Sequence, residues 1–370
     1  MKTSIDIVIP SFRLEEKYIL PILQLQPPAD ADVKFYLVVD NPAVHPSPAI
    51  RALVDNVRVF LHINQRNQGA AITRNAGLEA GAGQWVLFLD DDILVPANLL
   101  QTYATAAITQ PEEIGFIGLI TFPPAQSTFT QAIDASGSMD IFRISLDREA
   151  FAWGATANIM VKRSAMGPVR FSTAYPKSGG GEDVDFFINV RQRNDYKDFR
   201  SLPLAAVEHP WWNNNRVNYQ RPYRYGIGNS WLPKLNPRYA YHDMLDTPET
   251  LLVAALVTVV VSIVHPSALG VMLVAMAGII VIEFIATSVQ VWKRKGRVNV
   301  QTLYYVMMLR LAHDGGMLAG KLKRGEWWRI GQRFHYDGVI NKLYFYRSNT
   351  YRTIKWILYP LLAWMVWRHF

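Results

Sequence analysis

The chain has 370 residues, half of them hydrophobic and 18% charged, with no cysteine. That length allows one large domain or two smaller ones, and the lack of cysteine excludes disulfides and thiolate metal sites, leaving carboxylate, imidazole or backbone oxygen for any metal. The net charge of +8 is uneven: residues 291–370 hold 15 Lys/Arg against 3 Asp/Glu, and residues 1–290 hold 23 against 27, which points to nucleic acid or to an anionic membrane face.

The chain opens at Met1-Lys2-Thr3-Ser4 on a strand-like run without an apolar signal core, so the N-terminal part is expected to stay in the cytoplasm. Residues 5–9, 35–39, 57–63 and 85–89 are rich in β-branched, aromatic and other apolar side chains and are predicted strands. Predicted helices over residues 15–25 and 68–80 lie between them, and such alternation implies a mostly parallel sheet. The run Trp85-Val86-Leu87-Phe88-Leu89 is continuously apolar, as a central strand covered on both faces must be. Asp90-Asp91-Asp92 follows at once, at the carboxyl edge where open α/β sheets place ligands. Side chains alternate along an extended segment, so Asp90 and Asp92 share one side and Asp91 takes the other. Two readings stand. The pair is either a site for a hard cation, Mg²⁺ or Mn²⁺, completed by substrate phosphates, or a solvated loop in which Asp92 caps a helix over residues 93–100.

Arg74 is a candidate contact for nucleotide or phosphate, or the partner of an acid at the sheet edge. Gly179-Gly180-Gly181 precedes Glu182-Asp183, and three glycines allow a mobile loop or a close backbone approach. The two acids are either chemistry or first-turn charges favoured by a helix dipole. His209, in Val207-Glu208-His209-Pro210-Trp211-Trp212, is a metal ligand or a structural histidine. Trp211 and Trp212 suit stacking on a sugar or a membrane interface. Arg221 and Arg224 suit a diphosphate, or lipid phosphates beside the apolar stretch that follows.

Residues 251–289 are almost wholly apolar, with Glu283 as the one acid and a break at His265-Pro266-Ser267. Cut at Pro266, they give segments of roughly 15 and 22 residues, and the first is long enough to span only if it starts before Leu251. Lys234 and Arg238 precede the stretch and Lys293-Arg294-Lys295 and Arg297 follow it. The positive-inside rule then gives a hairpin with both ends cytoplasmic; a buried core helix pair is the alternative. Glu283 is expected near an interface or facing protein. Residues 303–330 mix Tyr304, Tyr305, Met307, Met308, Trp327 and Trp328 with Arg310, Lys321, Lys323 and Arg324, a composition suited to the headgroup layer. The Trp-rich stretch 354–367 is short for a span and is either interfacial or a tilted third segment.

In order and spacing these motifs resemble family 2 glycosyltransferases of the GT-A fold, over residues 4–230. Ile7-Val8-Ile9-Pro10-Ser11-Phe12 is similar to that family's first strand and nucleotide-binding turn, and Val39-Asp40-Asn41 to its second, where an acid meets the base. Pro42-Ala43 stands here where the family usually has a Gly/Ser-rich turn. Asn67-Gln68-Gly69-Ala70-Ala71 and Arg74-Asn75-Ala76-Gly77 resemble the helix before the metal strand, and Phe88-Leu89-Asp90-Asp91-Asp92 the metal motif. Trp153-Gly154-Ala155-Thr156-Ala157-Asn158 with Val161-Lys162-Arg163 resembles the acceptor-side strand, and Gly181-Glu182-Asp183-Val184-Asp185 the family's Gly-Glu-Asp-x-Asp segment.

The resemblance implies an α/β fold: a Rossmann-like GT-A catalytic domain with a mostly parallel sheet over residues 1–235. A membrane hairpin over 236–292 and basic interfacial helices with a membrane-associated tail over 293–370 complete the expected organisation. By the same resemblance Asp90, Asp92 and His209 hold Mg²⁺ or Mn²⁺. Pro10, Ser11, Asp40, Asn41, Asn67, Arg74, Asp90 and Asp91 bind a nucleotide-sugar, a UDP-sugar being favoured. Asp183 is the general base, supported by Glu182, and Arg221 and Arg224 lie where the family has a basic segment near the diphosphate. The expected function is metal-dependent, inverting sugar transfer to a lipid-linked or saccharide acceptor at the cytoplasmic face of the inner (plasma) membrane. Anionic lipids, not nucleic acid, are the expected partner of the basic tail. The alternatives are a non-catalytic nucleotide-binding membrane scaffold and a nucleotidyl- or phosphotransferase on a similar sheet. The latter calls for a Gly-rich phosphate loop after the first strand, and Pro10-Ser11-Phe12-Arg13-Leu14-Glu15 has none.

Overall fold

The computed structural model describes residues 2–177, 179–340 and 349–368. The four predicted strands form as Thr3–Ser11 (β1), Ala31–Val39 (β2), Val59–Ile63 (β3) and Trp85–Leu89 (β4). Gly115–Thr121 (β5), Ala150–Phe151 (β6), Asn158–Lys162 (β7) and Phe199–Glu208 (β8) complete one sheet in the order β3-β2-β1-β4-β7-β5-β8-β6. The pairs β1/β2, β1/β4, β2/β3 and β5/β8 are parallel. Because β7 runs antiparallel to both β4 and β5, strands β1, β2, β4, β5 and β8 all end at the same edge.

Period-two alternation explains why these strands are apolar throughout. Ile5, Ile7, Ile9, Leu87 and Leu89 are buried in a core shared with Ile19, Ile22, Leu100 and Tyr103. Val8, Val86 and Phe88 are buried in a second one with Phe171, Phe186, Phe187 and Val190. In that second core Phe171 stacks on Phe186 at 4.1 Å between centroids, and Phe88 meets both edge-on at 5.3 and 6.0 Å. Phe88 lies two residues before Asp90 and Phe186 three after Asp183, so this trio fixes helix Glu182–Arg193 against the strand that carries the acidic run.

The chain forms two compact units. The first comprises residues up to Pro124, Met139–Asn214 and the short return segment Tyr336–Gly338. That segment is held by Trp153 Nε1 donating to the Tyr336 carbonyl (2.6 Å) and Arg191 Nη1 donating to that of Gly338 (3.0 Å). The second gathers Ala125–Ser138, Asn215–His335 and the described residues from Val339 onward. It holds the helices Gln220–Asn229, Thr247–Val264, Leu269–Lys295, Val300–Lys323 and Thr350–Trp367, with Ala240–His242 (β9) paired antiparallel to Gln332–Phe334 (β10).

Among the described residues two helices are long and apolar enough to cross a membrane, Thr247–Val264 and Pro266–Lys295. Only 17% and 33% of their apolar windows are buried, which disfavours a soluble core helix pair. The first starts upstream of Leu251, where a capping box between Asp246 and Glu249 sets its N-terminus and supplies the length that residues 251 onward lack. Glu283 is fully buried and faces protein. Helix Val300–Lys323 buries Val306, Met307, Met317 and Leu318, so protein rather than headgroups covers that face, while Tyr304, Trp327 and Trp328 stay exposed.

Glycine sets a close helix crossing in the second unit, between Gln220–Asn229 and Val300–Lys323. A Cβ at Gly316 would overlap the Tyr223 carbonyl oxygen, and one at Gly226 the His313 carbonyl oxygen, whereas nothing lies within 4 Å of a Cβ at Gly315. The adjacent glycines therefore respond oppositely to a methyl group. Gly316→Ala is expected to destabilise the second unit by about 1–3 kcal/mol through overpacking. Gly315→Ala is expected to stabilise it by about 0.5–1 kcal/mol through helix propensity. Thermal unfolding of the detergent-solubilised protein, followed by circular dichroism, reads both signs.

Candidate active site

Asp90-Asp91-Asp92 leaves β4 at the edge where β1 ends at Ser11 and β2 at Val39. No helix begins at residue 93, so Asp92 caps nothing: the next helix is Leu99–Thr109, and Leu94 instead bridges Glu208 at the end of β8. The Leu94 N–H donates to the Glu208 carbonyl (2.7 Å) and the Glu208 N–H to that of Leu94 (3.0 Å). The His209 N–H donates to the Thr121 carbonyl (2.9 Å). This short ladder delivers His209 to the acidic run.

Alternation holds as the sequence implies. Asp90, Asp92 and His209 each offer a ligand atom within 4.8 Å of the others, while Asp91 turns the other way. Asp91 accepts from the Ser11 hydroxyl (2.6 Å) and the Phe12 N–H (3.3 Å). Burial pushes the Asp91 carboxyl up to about 6, against the pull of the Ser11 hydrogen bond. Burial acts in the same direction on Asp92, but His209 and Arg13 outweigh it and hold Asp92 at about 2. Arg13 Nη2 lies 2.7 Å and His209 Nε2 3.1 Å from the Asp92 carboxylate. The His209 ring is buried, which disfavours its charge, yet Asp92 outweighs that and raises its pKa.

His209 Nδ1 lies 2.6 Å from the Pro210 carbonyl oxygen, which fixes its proton there and aims Nε2 at the carboxylates. Phe122, Trp211 and Trp212 form an aromatic wall around this ring, with Phe122 and Trp212 at 5.5 and 5.3 Å from the imidazole. Trp211 Nε1 donates to the Pro123 carbonyl (2.9 Å). The two tryptophans thus pack in the first unit beside the histidine.

On the other flank, Arg74 Nη2 lies 3.4 Å from Asp90 and its Nη1 3.4 Å from Glu182, linking the acidic run to helix Glu182–Arg193. Of the two readings of Arg74, the structure shows the pairing with acids at the sheet edge. Gly179, Gly180 and Gly181 all adopt positive φ, at +86°, +109° and +89°, a path closed to most side chains. It lets the Gly180 N–H donate to Glu182 Oε2 (2.8 Å). Asp183 accepts from the Val184 N–H (2.8 Å). Burial first, and then the charge of Glu182, push Asp183 up to about 7.

Pro10 and Ser11 end β1 at the same edge. Asp40 is buried and engaged internally by Asn64 Nδ2 (2.8 Å), the Gln68 N–H (2.8 Å) and the Gly69 N–H (2.7 Å), so its carboxylate builds the turn that precedes helix Ala70–Ala80. Asn41 Nδ2 donates to the Phe12 carbonyl (3.3 Å), tying the first two turns together. Asn67 is exposed and its carbonyl accepts from Lys177 Nζ (3.2 Å). Arg221 and Arg224 lie on helix Gln220–Asn229 in the second unit, where Arg221 Nε donates to the Tyr225 hydroxyl (3.0 Å) and Arg224 is exposed. Among the features that escape sequence reasoning are the Arg13–Asp92 pair and the Leu94–Glu208 bridge. Neither carries periodicity or a motif, because both join segments far apart in the chain.

A mostly parallel, Rossmann-like sheet with acids and a histidine gathered at its carboxyl edge is the architecture of a GT-A glycosyltransferase domain. Residues 6–162 match the family model described as glycosyl transferase family 2; this part of the chain is a family 2 glycosyltransferase domain. Among curated proteins it is similar to the succinoglycan biosynthesis protein ExoM of Rhizobium meliloti (strain 1021), 28% identical over 168 residues, which are 42% of this chain and 50% of that protein. It is also similar to the succinoglycan biosynthesis protein ExoO of the same organism, 37% identical over 65 residues, 18% of this chain and 19% of that protein. The match thus spans about half the length of ExoM and a fifth of ExoO.

Removing Arg74 leaves Glu182 buried beside Asp183 without its cation. Arg74→Met is expected to destabilise the first unit by about 3 kcal/mol, as for a broken buried ion pair, and Arg74→Lys by less. Urea unfolding followed by tryptophan fluorescence measures the difference.

Proposed function

We propose that this protein moves a sugar from a nucleotide-diphosphate sugar, with a UDP-sugar favoured, to a hydroxyl of a lipid-linked or saccharide acceptor. The reaction takes place at the cytoplasmic face of the inner membrane, with inversion at the anomeric carbon. One observation carries the reading: in a family 2 domain, Arg74 joins the Asp90/Asp92/His209 cluster to the helix whose first turn bears Glu182 and Asp183. The two similar succinoglycan biosynthesis proteins support a saccharide or glycolipid acceptor. The apolar hairpin with basic flanks supports a membrane site of action.

Two carboxylates and an imidazole fit Mg²⁺ or Mn²⁺, which take hard oxygen ligands and accept a histidine nitrogen. The backbone-held tautomer of His209, with Nε2 aimed inward, suits a ligand. Asp90, Asp92 and His209 would hold the ion, and when bound it neutralises the charge of the departing diphosphate. Pro10, Ser11, Asn41 and Asn67, with the turn braced by Asp40, form the base side of the donor site. Asp91, locked to Ser11, orders that turn. Asp183 takes the acceptor proton as the hydroxyl attacks the anomeric carbon and the bond to the diphosphate oxygen breaks. Glu182, held by Arg74 and the Gly180 N–H, orients the base. Arg221 and Arg224 are assigned to phosphate, from the diphosphate or from lipid.

The test is transfer from a panel of nucleotide-sugars by the full chain in membranes, with and without Mn²⁺. Asp183→Asn is expected to lower kcat by about 10²–10⁴-fold, the usual share of a general base, with donor binding retained. Asp92→Asn and His209→Ala are expected to weaken Mn²⁺ binding about tenfold or more in calorimetry. Transfer unchanged in Asp183→Asn, or nucleotide-diphosphate binding indifferent to metal, overturns the mechanism.

The pH profile supplies a further check. A base raised to about 7 is protonated and idle below that pH and competent above it. The kcat profile is therefore expected to fall as pH drops through about 7, and Asp183→Glu is expected to move that limb.

A further inference from the structure

Helix Thr350–Trp367 is turned inside out by the standards of a water-soluble helix. Of its two charged side chains, Arg352 at the start is partly buried and Lys355 is 4% exposed, whereas Ile357, Leu361, Trp364 and Trp367 are 58, 49, 51 and 72% exposed. Exposed apolar residues at 357, 361, 364 and 365 recur at helical spacing and form one face. An apolar face turned outward with the charge turned inward is stable where the surrounding medium is hydrocarbon.

Its register against Leu269–Lys295 is antiparallel. Lys293 Nζ donates to Thr350 Oγ1 (2.7 Å), Lys355 Nζ to Glu283 Oε2 (2.9 Å), and Leu362 packs where a Cβ on Gly278 would lie 3.0 Å away. Near its start, Arg352 pairs with Asp243 (2.7 Å) and donates to the Tyr241 hydroxyl (2.8 Å), just before the first apolar helix begins at Thr247. From that level its 18 residues reach about 27 Å, close to the ~30 Å of a hydrocarbon core.

Inside, the polar atoms answer one another. Glu283 Oε2 accepts from Thr247 Oγ1 (2.5 Å), the Tyr351 hydroxyl (2.6 Å) and Lys355. Glu283 Oε1 accepts from Thr287 Oγ1 (3.0 Å), with Arg310 Nη1 at 3.9 Å. Lys355 also donates to Thr247 Oγ1 (2.7 Å) and the Tyr351 hydroxyl (2.9 Å). Each charge is costly in lipid alone and tolerable as a pair with its hydrogen bonds complete.

We infer that Thr350–Trp367 is a third bilayer-spanning segment, that its lipid-facing surface is the Ile357–Leu361–Trp364–Met365 face, and that it enters hydrocarbon through the Lys355–Glu283 pair. The inference rests on the hairpin reading above. It puts Arg368 on the membrane face opposite the N-terminal domain.

A chain without cysteine allows single-cysteine labelling in its own background. Gln65→Cys marks the N-terminal domain, Ser267→Cys the hairpin tip and Arg368→Cys the end of the third helix. All are tested in the full chain in sealed membrane vesicles of known sidedness with an impermeant maleimide. Ser267→Cys and Arg368→Cys are expected to label from the same face, opposite Gln65→Cys. Arg368→Cys labelling with Gln65→Cys while Ser267→Cys labels opposite overturns the third span and spares the hairpin. Ser267→Cys labelling with Gln65→Cys overturns the hairpin, and the third span with it. In the Glu283→Gln background Arg368→Cys is expected to shift to the domain face, and in Glu283→Gln/Lys355→Met to return. Labelling that stays on the far face in Glu283→Gln alone overturns the role given to the ion pair. The Ser267→Cys label in the same backgrounds verifies that the hairpin still inserts.

Discussion

Carboxylates crowded at the end of a buried sheet repel one another, and the catalytic unit is organised around containing that repulsion. Ligand atoms of Asp90 and Asp92 lie within 4.8 Å. At that range two unit charges cost about 3–4 kcal/mol at the effective dielectric of a protein surface, a large part of the 5–15 kcal/mol that holds a domain folded. Each acid meets a different answer. Asp92 takes Arg13 and His209, Asp90 and Glu182 share Arg74, and Asp91 is desolvated against Ser11. Asp183 has no cation at hydrogen-bonding distance among the described residues, and burial beside Glu182 pushes it up to about 7. A carboxyl poised to hold a proton near neutrality suits the general-base role proposed for Asp183.

The scaffold does the positioning with apolar contacts and backbone, not with more charge. The Phe88–Phe171–Phe186 cluster sets how far helix Glu182–Arg193 stands from the acidic strand. The Leu94–Glu208 bridge sets how far His209 stands from Asp92. Neither contact is an ion pair; the Arg74 pairs with Asp90 and Glu182 add to them.

The first four strands are legible because their signal is local, whereas β5, β6 and β8 are not picked out by it. Period-two apolar runs and one fully apolar strand located β1 to β4 and the edge where Asp90, Asp91 and Asp92 emerge. The sidedness of that run followed from alternation alone, and Asp91 does turn away to Ser11. What stayed hidden is non-local. The partner of Asp92 from the turn after β1, the internal use of Asp40 by Gln68 and Gly69, and the place of Trp211 and Trp212 beside His209 depend on pairings across the chain. Residues 303–330 show the same limit. Their aromatic and basic composition suits a headgroup layer, but composition does not reveal that Gly316 and Gly226 bring two backbones into contact.

The C-terminal helix shows why averaged hydropathy passes over a segment that its pattern identifies. An average counts Arg352 and Lys355 as though each faced the solvent of its own helix, so Thr350–Trp367 falls outside the two apolar helices. Burial reverses that count. Arg352 is taken up by Asp243 at the helix start and Lys355 by Glu283 one turn further in, and the large side chains left to meet the surroundings are the apolar Ile357, Leu361, Trp364, Met365 and Trp367. On the proposed third span, the rule that contains charge at the catalytic edge operates in hydrocarbon as well. A fixed charge is carried into an apolar place only together with its partner, and the Lys355–Glu283 pair is therefore both the obstacle to reading this helix from sequence and the reason it can sit in a bilayer.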